Sequence, residues 1–368
     1  MTSLFILLTP FSYLELYGIR IILLQVLLGG LILLKSALLN EKVSFDITFI
    51  YLLFIVMLTF IYSVMSGNQE SFFSTFIFVV LFYITYSTVI LKHISIDSIK
   101  RLYVYITLFS ACGLFLQWGL HKFFNITIFR YVLFGGNRNA YSFIWMDFSF
   151  ISLFVLCSIP IAFSVYSRGP AFIISIFLTI ASVITSARTG MGALFLFLFF
   201  LILINYIKSL QTFRINKYYF ILTIALPVFI LLFIFGLPLL TGRIVSTSSS
   251  GRIEDYVIAL EFFASNPWFG AMLDKIYFSE NIAIIPHNLF IYPLALGGIT
   301  YFIFFIVFLV VLLYAIRKSD KYILYSVYIC LLGFLFIPSF FSAYFFAVLL
   351  GIALASSKLN IRNNKVTI

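Results

Sequence analysis

Residues 288–316 carry no charged side chain. A run of roughly 17 to 25 apolar residues is what an α-helix needs to cross the hydrocarbon core of a bilayer, about 30 Å thick. A helix suits that medium because all its backbone groups bond within the segment. Ten more runs of this kind fall near residues 19–38, 44–65, 71–92, 101–120, 141–166, 170–186, 190–207, 218–240, 321–338 and 339–357. Residues 3–17 form a twelfth, shorter candidate, either a span or a segment lying in the interface. The expected fold class is an all-α polytopic membrane protein of about 11–12 transmembrane helices, one integral membrane domain over residues 1–368.

Burial in a water-soluble core cannot absorb this much apolar surface. Hydrophobic residues make up 63% of the chain and charged residues 10%, against about 45 to 50% and about 25% in soluble domains. A net charge of +11 is of the sign that nucleic-acid binding requires, but the basic residues stand singly between apolar runs and form no stripe. Nucleic acid is excluded as a partner, and the lipid bilayer takes its place. Fifteen of the 23 Lys and Arg fall on one side of the expected spans and eight on the other, so the positive-inside rule makes the richer side cytoplasmic. The loop over residues 241–287 is then external, that is, periplasmic in a cell with two membranes. The first residues lack a basic stretch and a small-residue cleavage site, so no removable signal peptide is expected. Cys112, Cys157 and Cys330 each lie in a hydrophobic run and read as small core residues.

The external loop carries mixed charge, a serine run and turn signals. Over residues 252–265 the apolar positions Ile253, Tyr256, Val257, Leu260, Phe263 and Ala264 recur at helical spacing, which predicts an amphipathic helix along the membrane surface. Asn266-Pro267 ends it, since the residue before proline avoids the helical region. Trp268 and Phe269 then form an interface anchor. Arg252 opens the helix, where a cation opposes the helix dipole; it is either a solvated loop arginine or an anion ligand. Arg188, in SARTG between two apolar helices, is partly desolvated, and a phosphate partner binding the guanidinium in bidentate fashion would relieve that cost. His287 sits at headgroup depth beside Asn288. It reads as a packed interface residue or as a group that accepts a hydroxyl proton near neutral pH. Asp147 is the one clear charge deep in a span. The spans show no inverted pair of broken helices of the transporter kind.

These residues resemble the O-antigen polymerase and O-antigen ligase superfamily, bacterial membrane glycosyltransferases of the GT-C class. His287-Asn288, nine residues, Gly298, two residues and Tyr301 are similar to its H-[NSQ]-x9-G-x-x-[GTY] pattern. Ser250-Gly251-Arg252 with Asn266-Pro267-Trp268-Phe269-Gly270 resembles its S-G-R helix and N-P-x-x-G turn. Ser186-Ala187-Arg188-Thr189-Gly190 is similar to its S-x-R-[ST]-G hinge, and Gly136-Asn137-Arg138-Asn139-Ala140 to its G-x-x-N-x segment, with Arg138 where proline is frequent. The resemblance covers roughly residues 100–310.

The resemblance implies a GT-C-like fold in the inner membrane and glycosyl transfer at its periplasmic face. The donor would be an undecaprenyl-diphosphate-linked oligosaccharide, and no metal or other cofactor is implied. Arg188 and Arg252 match the diphosphate-binding arginines and His287 the catalytic histidine. Arg138, Asn139, Arg243, Glu254 and Asn288 are candidate substrate contacts. Polymerase activity, extending lipid-linked repeat units, is the favoured expectation, with a chain-length regulator protein as a partner. The alternatives are an O-antigen ligase acting on lipid A core, a capsule or exopolysaccharide polymerase, and a non-enzymatic flippase for the lipid-linked glycan.

Overall fold

The computed structural model describes residues 1–16, 19–41, 45–129, 131–134, 138–145, 147–211 and 252–366. The expected span at 218–240, residues 246–251 and Arg243 lie outside the described residues. In chain order the elements are α1 (Thr2–Leu7), a short 3-10 helix (Thr9–Tyr13), β1 (Glu15–Leu16), β2 (Ile19–Arg20), α2 (Ile21–Leu38), α3 (Ile47–Ser66), α4 (Glu70–Ile90) and α5 (Ile96–Phe124). Next come β3 (Tyr131–Phe134), β4 (Arg138–Tyr141), α6 (Phe148–Cys157), α7 (Ile159–Val165), α8 (Arg168–Ile184) and α9 (Arg188–Gln211). After the undescribed stretch follow α10 (Arg252–Ser265), α11 (Lys275–Asn281), α12 (Ile291–Ile316), α13 (Lys321–Gly333), a 3-10 turn (Phe334–Phe336) and α14 (Tyr344–Val366).

Among the described residues eight helical stretches are long and apolar enough to cross a membrane: α2, α3, α4, α5, α6 with α7, α9, α12 and α14. Shorter apolar helices lie over Arg168–Ile184 and Lys321–Phe336. All ten expected spans that fall on described residues therefore coincide with an apolar helix, and the chain is a mostly helical, polytopic membrane protein.

Two expectations change. Residues 3–16 do not form a single spanning helix. Pro10, which has no amide hydrogen to donate, follows α1 in a 3-10 turn, and the buried Gln25 of α2 ties the segment back, its amide donating to the Phe5 carbonyl (2.9 Å) while its carbonyl accepts from Ser12 Oγ (2.7 Å). The run at 141–166 starts as a helix only at Phe148. Residues up to Tyr141 pair as a hairpin, with Tyr131 opposite Tyr141 and Phe134 opposite Arg138. Asp147 is consequently not buried within a span. It is the N-cap of α6, its carboxylate accepting from the amides of Ser149 (2.6 Å) and Phe150 (3.0 Å).

The described chain forms two compact units. The first holds Met1–Tyr103, Ser248–Val327 and Phe334–Ile368; the second holds Val104–Thr247 and Tyr328–Gly333. In the first unit α14 packs along α4. Gly351 permits the approach, since a side chain there would meet Thr85 and the Phe82 carbonyl oxygen, the latter at 2.9 Å. Phe78, Phe305, Phe308, Phe334, Phe340, Phe341 and Phe346 form one aromatic cluster around α14, with many ring pairs at 5.0–6.5 Å in tilted or edge-on arrangements. Such pairs add about 0.5–1.5 kcal/mol each beyond the area they bury. Toward its edge, α2 and α3 leave Leu23, Leu27, Leu31, Leu34, Leu53 and Met57 exposed, as lipid-facing positions require. In the second unit α6 packs against α8 and α9.

Candidate active site

In the first unit the site is built around a break in α12. Gly298 has φ +68° and ψ −176°, a conformation closed to residues with a Cβ, and the ladder of helical hydrogen bonds fails on either side of it. A break at membrane depth is tolerated only where protein supplies the missing partners. Here they come from residues 267–273, the segment that follows α10, and from Tyr62 of α3. Ala271 N donates to Ala295 O (3.3 Å), Leu273 N to Leu296 O (2.8 Å) and Tyr62 Oη to Gly297 O (3.0 Å), while Ile299 N donates to Pro267 O (2.8 Å). Gly270, with φ +56°, lies against the same break: a Cβ there would come 2.8 Å from the Gly298 amide nitrogen and 2.9 Å from the Leu296 carbonyl carbon. The two glycines that end the N-P-x-x-G and H-N-x9-G patterns are thus in mutual contact.

The helix expected over residues 252–265 occupies those bounds as α10, and Asn266 ends it with amide bonds to Phe262 O and Phe263 O. Ala259 is buried and Tyr256 half-buried, whereas Ile253, Val257 and Leu260 are exposed. Trp268 (66%) and Phe269 (47%) are also exposed, which suits an interfacial anchor. Glu254 is exposed on α10, and Arg252 is its first residue.

His287 is half-buried, and its carbonyl accepts a hydrogen bond from Tyr256 Oη at 2.8 Å. That bond joins the helix opened by Arg252 to the segment that carries the histidine. Asn288 has a structural role beside it: its Oδ1 accepts from the amides of Phe290 (2.9 Å) and Ile291 (3.2 Å), an Asx turn that leads into α12.

The second unit holds Arg188 and the hairpin, and the geometry of each is local to that unit. Arg188 is the half-buried first residue of α9, reached from α8 through a hinge of residues 185–187, where SARTG predicts two or three residues between the apolar helices. Ser186 adopts φ +59° there, uncommon for a residue with a Cβ. It is held by Ser186 N to Val183 O (2.9 Å), while Ala187 N donates to Thr185 Oγ1 (3.1 Å). Gly190 lets α9 touch α6: its amide donates to Ser152 Oγ (3.2 Å), which also bonds Ser182 Oγ (2.8 Å). In the hairpin, Asn139 Oδ1 accepts from Tyr131 Oη (2.7 Å), and Tyr141 Oη meets His121 Nδ1 at 2.7 Å. Burial, with Tyr131 adding to it, pushes the Tyr141 phenol up to about 12. Arg138 is the first residue of β4.

A polar cluster in the first unit has no counterpart among the sequence motifs. Lys275 Nζ pairs with Glu70 Oε1 at 2.9 Å, and the lysine side chain is far more buried than the glutamate. Burial presses the Lys275 pKa down, but Tyr292 and Glu70 beside it outweigh that, and it lies above the ordinary lysine value. Lys275, Tyr292, Tyr301, Ser71, Ser74 and Ser339 line a cavity of about 20 Å³, room for a single water. A lone lysine between an aspartate and an isoleucine has no period or motif to reveal it. Among the described residues no group of three or more His, Cys, Asp and Glu gathers as a metal site requires.

Neither family models nor curated proteins match this chain. The functional reading therefore rests on the motifs and on the geometry just described.

Proposed function

We propose that the chain is an O-antigen polymerase of GT-C-like fold, joining undecaprenyl-diphosphate-linked repeat units at the periplasmic face of the inner membrane. The observation that carries the reading is the meeting of two motif segments separated in sequence: Gly270 closes on the helix break at Gly298, and Tyr256 ties α10 to His287. Spacing that looks arbitrary in sequence thereby acquires one geometric purpose, holding His287 beside the helix that starts at Arg252.

In the proposed reaction a sugar hydroxyl oxygen attacks the anomeric carbon of the donor. The bond from that carbon to the phosphate oxygen breaks, undecaprenyl diphosphate leaves, and the hydroxyl proton passes to His287. Arg188 and Arg252 stabilise the negative charge growing on the leaving diphosphate, for which guanidinium is suited by its bidentate fork. A flippase would use a broken helix differently, leaving its freed backbone groups open to cargo or ion. In α12 the carbonyls of residues 295–297 are taken by Ala271, Leu273 and Tyr62, which favours the enzyme.

The test is the lipopolysaccharide ladder of a deletion strain carrying the wild-type chain or His287→Ala. Cores bearing a single repeat unit in the variant are the expected result. A bare core with polymer left on the lipid carrier would reassign the chain as a ligase, and an unchanged ladder would remove the catalytic role of His287.

A further inference from the structure

The loop segment 266–281 is tied to the membrane helices by two separate sets of contacts. The backbone bonds to the α12 break form one. The other comes from the turn between α3 and α4 and from the first residues of α4, and it uses side chains. Asn68 Nδ2 donates to Asp274 Oδ1 (2.9 Å), Ser71 Oγ donates to Leu273 O (2.8 Å), and Lys275 Nζ donates to Glu70 Oε1 (2.9 Å). Asp274 serves twice, since the same Oδ1 caps α11 by accepting from the amides of Ile276 and Tyr277, each at 3.0 Å. The Lys275 side chain reaches the cavity wall that it shares with Tyr292, the second residue of the helix that follows His287. Three separate pieces of chain converge on that amine: the start of α4, the loop, and the first turn of α12.

We infer that Glu70 and Lys275 are positioning residues, a clamp that fixes the loop against α4 and α12 and thereby sets the placement of His287. The inference rests on the polymerase reading for its consequence in turnover, while the clamp itself stands on geometry alone. The two partners are unequal. Glu70 is about half exposed and its charge is readily solvated, whereas the Lys275 side chain is 14% exposed. Removing the carboxylate strands a buried ammonium, which costs more than removing the ammonium. Glu70→Gln therefore loosens the loop more than Lys275→Met does. A shift of the order of 1 Å in a reacting group lowers turnover by as much as about a hundredfold.

The experiment compares wild type, Glu70→Gln, Lys275→Met and the charge-exchanged double variant Glu70→Lys/Lys275→Glu. Each is purified and assayed with lipid-linked repeat units extracted from a strain lacking this chain. Protease protection of the loop is measured in parallel. The clamp predicts that both single variants lower kcat by about tenfold or more with KM within about twofold, that both lose loop protection, and that the exchanged pair restores kcat and protection together. Single variants with wild-type turnover and protection would overturn it. An exchanged pair that fails to restore turnover would also overturn it, because a lysine that touches the anionic donor directly cannot be moved to position 70. If wild type itself joins no repeat units, the polymerase reading fails, and loop protection still decides whether the clamp exists.

Discussion

Gly298 and Gly270 show how far a single Cβ reaches. Both stand at positive φ, and at each a methyl group would strike backbone rather than a yielding side chain. Gly298→Ala carries on the order of 1–3 kcal/mol for a backbone conformation that only glycine adopts freely, and overlap with the Trp268 and Phe269 backbone adds to it. The expected outcome is a clear drop in the thermal unfolding midpoint of detergent-purified protein. Gly30→Ala is the control: nothing lies within 4 Å of its Cβ position inside α2, and relief of helix entropy leads to a gain of about 0.5–1 kcal/mol. Tyr256→Phe removes one hydrogen bond, worth about 1 kcal/mol, from the His287 carbonyl. Its expected effect is small on melting and larger on polymer length in the ladder, since the bond holds the histidine segment. The glycine spacing was visible in the sequence, but its meaning was not, because hydropathy reports no backbone angle and the partner segment lies some thirty residues upstream.

Helix ends carry the next level of control. Asp46 caps α3, its carboxylate accepting from the amide of Thr48 (2.9 Å) while pairing with Lys358 of α14. Burial presses its pKa up, but Lys358 and the two Thr48 groups outweigh that and hold it below the ordinary carboxylate value. A carboxyl whose folded pKa is depressed contributes stability above its unfolded pKa, near 3.9, and that stability is lost as pH falls through the folded value. Unfolding midpoints measured from pH 7 down to pH 3 are expected to fall in the acid range, and Asp46→Asn is expected to flatten that part of the profile. Elements were legible where a pattern was local. The bounds of α10 follow from apolar spacing and an Asn-Pro stop, and the hinge at Arg188 follows from two flanking apolar runs. The start of α6 was not legible, because Tyr141, Phe143, Ile144 and Trp145 are as apolar as a span, yet Tyr141 ends a paired strand and the other three lie in the turn that follows it. Strand pairing with residues 131–134 holds the chain up to Tyr141, and pairing partners leave no mark on hydropathy.

At the scale of the molecule, the eight helical stretches among the described residues that are able to cross a bilayer predict that the chain resists alkaline carbonate and leaves the membrane only with detergent. The positive-inside reading makes a sharper statement. In a cysteine-free background, a cysteine at Tyr277 is expected to react with a membrane-impermeant maleimide added to intact spheroplasts, and one at Lys318 only after lysis. The opposite pattern would invert the topology and place the loop in the cytoplasm, away from any periplasmic substrate. This scale was the most legible of the three, since apolar length depends on composition alone. Contacts between distant segments, such as Gly270 against Gly298, are contained in no window of sequence.

The break in α12 also bears on bilayer thickness. Residues 299–316 below it measure about 27 Å at 1.5 Å per residue, close to a hydrocarbon core of about 30 Å, whereas the unbroken run would overshoot it. The turns above Gly298 are bonded to the loop and need no tilt to be accommodated. A thicker or thinner membrane would then be met by the lower part alone, by tilt or local lipid adjustment, while the upper turns and His287 travel as one piece with the loop.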